Sequence, residues 1–137
     1  MAESQWAVFS ITANGIILSI KNSKLKWGKF YYPPNKSKEI KPATIDQTVI
    51  PIGITATIGT CGRSQSWSGT EGSFDLYDGA TKIGMYYWNV PFGSNTNASQ
   101  FTADDNSAGK YLTEVTGGNI QGGALGDVFI VSGKRTP

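Results

Sequence analysis

From Gln5 to Ser132 the apolar positions recur with a period of two rather than 3.6, which is the spacing of strands. Gln5–Thr12 is rich in β-branched and aromatic residues. Asn14-Gly15 follows, a strong hairpin signal, and Ile16, Leu18 and Ile20 then share one face of a run ending at Lys21. In Lys24–Tyr32, Leu25 and Trp27 alternate with lysines until Lys29 breaks the phase; a β-bulge at Gly28 is expected to restore it. Tyr32-Pro33-Pro34-Asn35-Lys36 reads as a surface loop, and Pro42 and Pro51 leave Thr44–Ile50 as at best an edge segment.

Further on, Ile52–Cys61 predicts a strand with Ile52, Ile54, Ala56 and Ile58 in register, and Gly62–Gly72 a long polar loop that holds Trp67. Ser73–Tyr77 should pair with Lys82–Val90 through Asp78-Gly79, followed by a loop over Pro91–Asn97. Two last strands are expected near Lys110–Thr116 and Leu125–Ser132, on either side of a glycine-rich turn. Trp6, Phe74 and Phe129 fall within apolar strands and are expected to pack inside. The sum is an all-β chain of eight to ten short antiparallel strands, a sandwich or barrel forming one domain over residues 1–137.

Charge adds an asymmetry that the net value of +2 hides. Residues 21–41 hold seven lysines against a single acid, Glu39, while the chain after Gly62 carries seven acids against five bases. A basic stretch of this kind suits an anionic surface, or else an edge strand kept soluble by lysine. No apolar run approaches the ~20 residues of a spanning helix, so any membrane contact is expected to be peripheral. Met1–Gln5 carries Glu3 where a secretory signal would be basic.

Candidate chemistry narrows the function chiefly by what is missing. The chain has no histidine and one cysteine, Cys61, so histidine-dependent nucleophilic sites, an internal disulfide and a structural zinc site are not expected. No phosphate loop of the GxxxxGK[ST] form occurs. Asp104–Gly109 begins like a calcium loop, but Ala108 stands where a ligand belongs and Glu114 comes one residue early, so a turn is expected. Carboxylates sit in turns or singly on strands (Asp75, Glu114), and neither an enzyme nor a bound cofactor or metal is expected.

Aromatic residues make up 12% of the chain, and several stand where burial is awkward: Trp67 in a polar loop, Phe92 beside Pro91, Tyr31-Tyr32 before a proline turn. Exposed rings beside lysines suit a membrane interface. They would equally serve single-stranded nucleic acid or a carbohydrate face, and composition leaves the three open.

Motif order goes further. Gln5-Trp6, Trp27-Gly28-Lys29, Cys61-Gly62-Arg63-Ser64 and Gly69-Thr70-Glu71-Gly72-Ser73-Phe74-Asp75-Leu76 come first; Tyr87-Trp88, Pro91-Phe92-Gly93-Ser94 and Gly123-Ala124-Leu125-Gly126 follow. In this order and spacing, from about Gln5 to Val131, the chain closely resembles the aegerolysin family. The resemblance implies an actinoporin-like β-sandwich without the inserting N-terminal helix, the first strand beginning at about Gln5. It implies binding to membrane sphingolipids, either ceramide phosphoethanolamine or sphingomyelin with cholesterol, in place of nucleic acid. A larger partner of the membrane-attack-complex/perforin type is expected where pores form, and self-association only on membranes or as a weak dimer.

The lipid-facing set expected on this basis is Trp27, Tyr31, Tyr32, Trp67, Trp88 and Phe92, with Lys26, Lys29 and Arg63 as phosphate-facing cations. Arg63 bracing its loop through backbone carbonyls is the competing reading, and Trp6 and Trp88 have a competing place in the core. Ser68 stands where sphingomyelin/cholesterol-binding members have an acid, Phe92 where many have tryptophan, and Asn95 where some have lysine. These departures leave the lipid preference open, with a slight lean toward ceramide phosphoethanolamine or another phosphosphingolipid. Val90 replaces a family cysteine and leaves Cys61 unpaired. A protein of this kind is expected to act outside the cell, peripherally on target membranes, without a recognisable signal peptide and with a cytoplasmic stage before release left open. A carbohydrate-binding, lectin-like module is the alternative.

Overall fold

The computed structural model describes residues 2–93 and 95–136. After a 3₁₀ turn at Ala2–Ser4 come β1 (Trp6–Asn14), β2 (Leu18–Trp27), β3 (Lys29–Tyr31), a one-turn helix α1 (Pro42–Ile45), β4 (Val49–Ile50) and β5 (Thr55–Cys61). The second half holds β6 (Thr70–Asp78), β7 (Thr81–Val90), β8 (Ala98–Ala103), a 3₁₀ turn at Asp105–Ser107, β9 (Tyr111–Gly117) and β10 (Gly126–Lys134). They form two five-stranded sheets, ordered β3-β5-β1-β10-β9 and β4-β2-β6-β7-β8. No described helix is long and apolar enough to cross a membrane.

Alternation decides what lies between the sheets. In β1 the inward set is Ala7, Phe9, Ile11 and Ala13; in β7 it is Ile83, Tyr86, Trp88 and Val90; both sets lie in one shared core. Phe9 is the hub of an aromatic cluster, its ring 5.2 Å from Tyr86, 5.0 Å from Trp88 and 5.7 Å from Phe74. Such tilted and edge-to-face pairs add to the gain from burial itself. Gly72 lies under Trp88: a Cβ there would come within 2.7 Å of the indole ring and 2.1 Å of the Lys24 carbonyl.

Several expectations are corrected. Asn14-Gly15 does not close a hairpin, because β1 and β2 go to different sheets, and the turn carries the chain across the core. Gly28 is not a bulge either. The irregularities of β2 fall between Lys21 and Lys24 and between Leu25 and Trp27, and Gly28, at φ 93°, is where the chain leaves one sheet for the other. There a Cβ would meet the Cys61 carbonyl at 2.6 Å. Ile52 and Ile54 are exposed, since β5 starts only at Thr55. Phe129 is also exposed, because Val128 and Ile130 take the inward phase of β10; Trp6 is half-buried. The sheets are not purely antiparallel: β1 and β10 run parallel over Ala7–Asn14. β8 lies in a stretch with no predicted strand. Asp78-Gly79 does join β6 and β7 as read.

Candidate functional site

Register places three loops and the Gly28 crossover at one end of the sandwich. Trp6 pairs with Cys61 and Lys29 with the same residue, Trp27 pairs with Glu71, and Thr70 with Val90. The connections 62–69 and 91–97 therefore leave from this end. The loop after β9 joins them: the Ile120 carbonyl accepts from the Asn97 N–H, and the Asn97 amide donates to the carbonyls of Asn119 and Gly123.

At this end stand three rings, two exposed and one half-buried. Trp67 is 73% exposed and Trp27 50%. Phe92 meets Trp67 edge-on, centroids 5.3 Å apart at 82°, so the two loops share one aromatic ridge. Beside the ridge a cleft of about 520 Å³ is lined by Leu25, Lys26, Trp27, Glu39, Arg63 and Ser68. Within it Arg63 grips Glu39 with its two terminal guanidinium nitrogens, at 2.6 and 2.7 Å. That fork holds the Glu39 carboxyl below its usual range and raises Arg63. Arg63 thus spends its charge on Glu39 rather than on backbone carbonyls, while Lys26 is exposed and has no ion pair among the described residues.

The nine residues read from the sequence divide between the loop end, a separate cleft and the interior. Trp27, Trp67, Phe92, Lys26 and Arg63 gather at the loop end. Tyr32 is exposed but lines a separate cleft with Asn35, Lys38 and Ile40. Trp88, Tyr31 and Lys29 are corrected to interior positions. Trp88 is fully buried and donates its indole N–H to Thr70 Oγ1 at 3.0 Å, because even-numbered positions of β7 face the core there. Tyr31 is covered, its ring resting where a Cβ on Gly59 would be, and burial pushes its phenol up to about 12. Lys29 is buried and pairs with Glu3 at 2.7 Å, fastening the N-terminal 3₁₀ turn to β3.

The lysine-rich stretch is not one basic face. Lys21 lies over the Tyr77 ring, Lys36 over the Trp6 ring while donating to the Glu3 carbonyl, and Lys29 points inward. The second half of β2 is nevertheless an edge, since β4 pairs only with Leu18 and Ser19; α1 guards it through Ser23, which bonds Asp46 and the Pro42 carbonyl. Sequence reading missed Glu39 as a cleft residue, although it is the lone acid among seven lysines. It also missed Ile120, exposed at the same end, for which the glycine-rich turn gave no signal.

Asp104 caps the 3₁₀ turn at Asp105–Ser107, accepting from the Asn106 N–H, which accounts for the calcium-loop look of that segment. Among the described residues no group of acids and cysteine is placed to hold a metal ion. Cys61 is buried and unpaired. Ser94 of the Pro91-Phe92-Gly93-Ser94 motif lies outside the described residues.

A rigid sandwich that bares aromatic rings and a small charged cleft on loops at one end is a scaffold for binding at a surface. Residues 4–134 match the family model described as Aegerolysin, and this chain belongs to the aegerolysin family. It is 38% identical to Asp-hemolysin of Aspergillus fumigatus over 136 residues, covering 98% of this chain and 96% of that one. It is 32% identical to Ostreolysin A6 of Pleurotus ostreatus over 139 residues, covering 98% and 99%. Among solved structures it is similar to RahU protein in complex with a Tris molecule, with a TM-score of 0.93, 34% identity and 99% of each chain covered.

Proposed function

We propose that this chain is a peripheral lipid-binding protein that recognises sphingolipid-containing membranes, ceramide phosphoethanolamine or sphingomyelin with cholesterol. The observation that carries the reading is the aromatic ridge of Trp67 and Phe92 beside Trp27, next to the exposed Lys26. Tryptophan rings sit at headgroup depth, phenylalanine enters the headgroup–acyl boundary, and lysine there meets lipid phosphate. The Arg63–Glu39 fork offers a second element: a carboxylate for a headgroup ammonium and, alongside, the face of Trp27 for a cation–π contact. Membership of a family that includes a protein named Asp-hemolysin supports a membrane target.

The chain recognises membrane and does not itself perforate it; pore formation falls to a larger partner of the membrane-attack-complex/perforin type, and the site of action is extracellular. Co-sedimentation with vesicles tests the reading. Phosphatidylcholine alone should leave the protein in the supernatant, while added ceramide phosphoethanolamine, or sphingomyelin with cholesterol, should pellet it. Negligible binding to all three, or binding to glycans in their place, overturns it.

A further inference from the structure

Of the four sheet edges, β3 and β4 are short and guarded, while β8 and β9 run six and seven residues without proline or lysine. β3 has three residues and is capped by Ile40, whose N–H donates to the Phe30 carbonyl at 2.9 Å; β4 has two residues and is followed by Pro51. β9, at the other margin of the β3 sheet, runs seven residues with no proline and no lysine inside it. An edge of that kind is a template for another strand.

Its register shows which groups are offered. The Arg135 N–H donates to the Lys110 carbonyl and the Gly118 N–H to the Asp127 carbonyl. These two bonds put the even-numbered residues of the segment in hydrogen bond with β10. The backbone groups of Tyr111, Thr113 and Val115 therefore point to the free edge. On the outer face the same strand presents Lys110, Leu112 and Glu114, all exposed, with Leu112 at 51%.

That triplet is complementary to itself. We propose that β9 pairs antiparallel with β9 of a second copy of this chain about a two-fold axis through Leu112, joining two five-stranded sheets into one of ten strands. In this register Lys110 of each protomer lies opposite Glu114 of its partner, and the two Leu112 side chains meet at the axis. Tyr111 and Thr113 pair across it through backbone bonds, leaving Leu112 at a closely spaced, non-hydrogen-bonded position. The backbone requirement and the charge requirement select the same register. Centring on Glu114 would oppose two carboxylates, and centring on Thr113 would set Leu112 against Glu114. Pairing also covers a crevice of about 210 Å³ between the sheets, lined by Phe101, Tyr111, Leu112 and Thr113 among others.

The orientation has a consequence for binding. β9 runs from Tyr111 toward the loop end, since Gly117 pairs with Val128 near the start of β10. Antiparallel pairing therefore points the two loop ends in opposite directions. Such a dimer links two surfaces and cannot place both ends on one flat surface.

The test uses the purified chain without lipid, so its failure and that of the membrane reading are distinguishable. Sedimentation velocity should show a concentration-dependent dimer. Lys110→Glu and Glu114→Lys should each weaken it about tenfold or more, because each puts like charges at both crossings. An equimolar mixture of the two variants should recover association, since the unlike pair restores opposite charges at both. Leu112→Cys should form a disulfide dimer on mild oxidation far faster than Thr116→Cys on the same exposed face, as only the former sits at bridging distance from its own copy; Cys61 is buried and does not compete. A monomer at every concentration, no recovery in the mixture, or equal rates for the two cysteine variants overturns the proposal. Unchanged thermal unfolding of the variants checks that the fold is intact.

Discussion

Trp27 and Lys29 are separated only by Gly28, and Trp67 and Trp88 are the same residue type 21 positions apart, yet each pair is split between the interior and the rim. Inside, Trp88 touches Phe9, Phe30, Phe74 and Tyr86 and its N–H is bonded to Thr70; Lys29 is neutralised by Glu3. At the rim, Trp67 meets the Phe92 ring edge-on and Lys26 has no paired acid among the described residues. A tryptophan or lysine carries no function by its type. Strand phase, and one glycine at positive φ between two sheets, decide whether it stabilises the fold or is left for a ligand.

The strongest way to break this contrast is Trp88→Ala. It should cost about 3–5 kcal/mol, the scale of emptying a buried aromatic site, and remove the indole N–H bond to Thr70, which keeps only Thr60. Urea unfolding measures the loss, and a cost under about 1 kcal/mol would mean that Trp88 is no core residue.

Next in size is the Lys29–Glu3 pair. Glu3→Gln removes the charge facing a buried ammonium and should destabilise by about 1–2 kcal/mol at neutral pH, less than a fully buried pair because Glu3 is partly exposed. The hydrogen bond from Lys29 lowers the Glu3 pKa from 4.5. Its contribution is therefore complete above about pH 4.5 and lost as pH falls through the lowered folded value. The melting curves of the two proteins should converge as the pH falls through that lowered value; a gap that persists once Glu3 is protonated contradicts the assignment.

Trp67→Ala should do the opposite of Trp88→Ala. Stability should change by no more than about 0.5 kcal/mol, while affinity for sphingolipid vesicles falls about tenfold, roughly 1.4 kcal/mol. Equal affinity with and without the indole would remove Trp67 from the lipid-facing set. The smallest effect sharpens the ridge itself. A double-mutant cycle on Trp67 and Phe92, read by unfolding, should give a coupling near the low end of about 0.5–1.5 kcal/mol, because Trp67 is largely solvated.

Much of the fold is legible because one face of most strands is buried, and alternation then shows. The β6–β7 hairpin announces itself by Asp78-Gly79 between two alternating runs. Where the phase is degenerate, the sequence misleads. β10 is apolar on both faces, so Phe129 and Val131 look as buried as Val128 and Ile130. β8, Ala-Ser-Gln-Phe-Thr-Ala, has a single large apolar residue and gives no pattern. Asn14-Gly15 has hairpin chemistry, but a two-residue turn does not say whether the next strand stays in the same sheet. For the site, exposure of Trp67 and Phe92 could be read from their loops, whereas the Arg63–Glu39 fork joins residues 24 apart through a fold-dependent contact.

The parallel pairing of β1 with β10 also sets the order of assembly. β6 and β7 close on a short turn and can meet as soon as both exist, but Ala7 and Gly126, about 120 residues apart, must find each other across the chain. β10 lies inside its sheet, between β1 and β9, so until it docks β1 has an open margin and β9 no neighbour. High contact order of this kind slows folding. A ribosome releasing this chain must therefore deliver β10 before half of the sandwich can close.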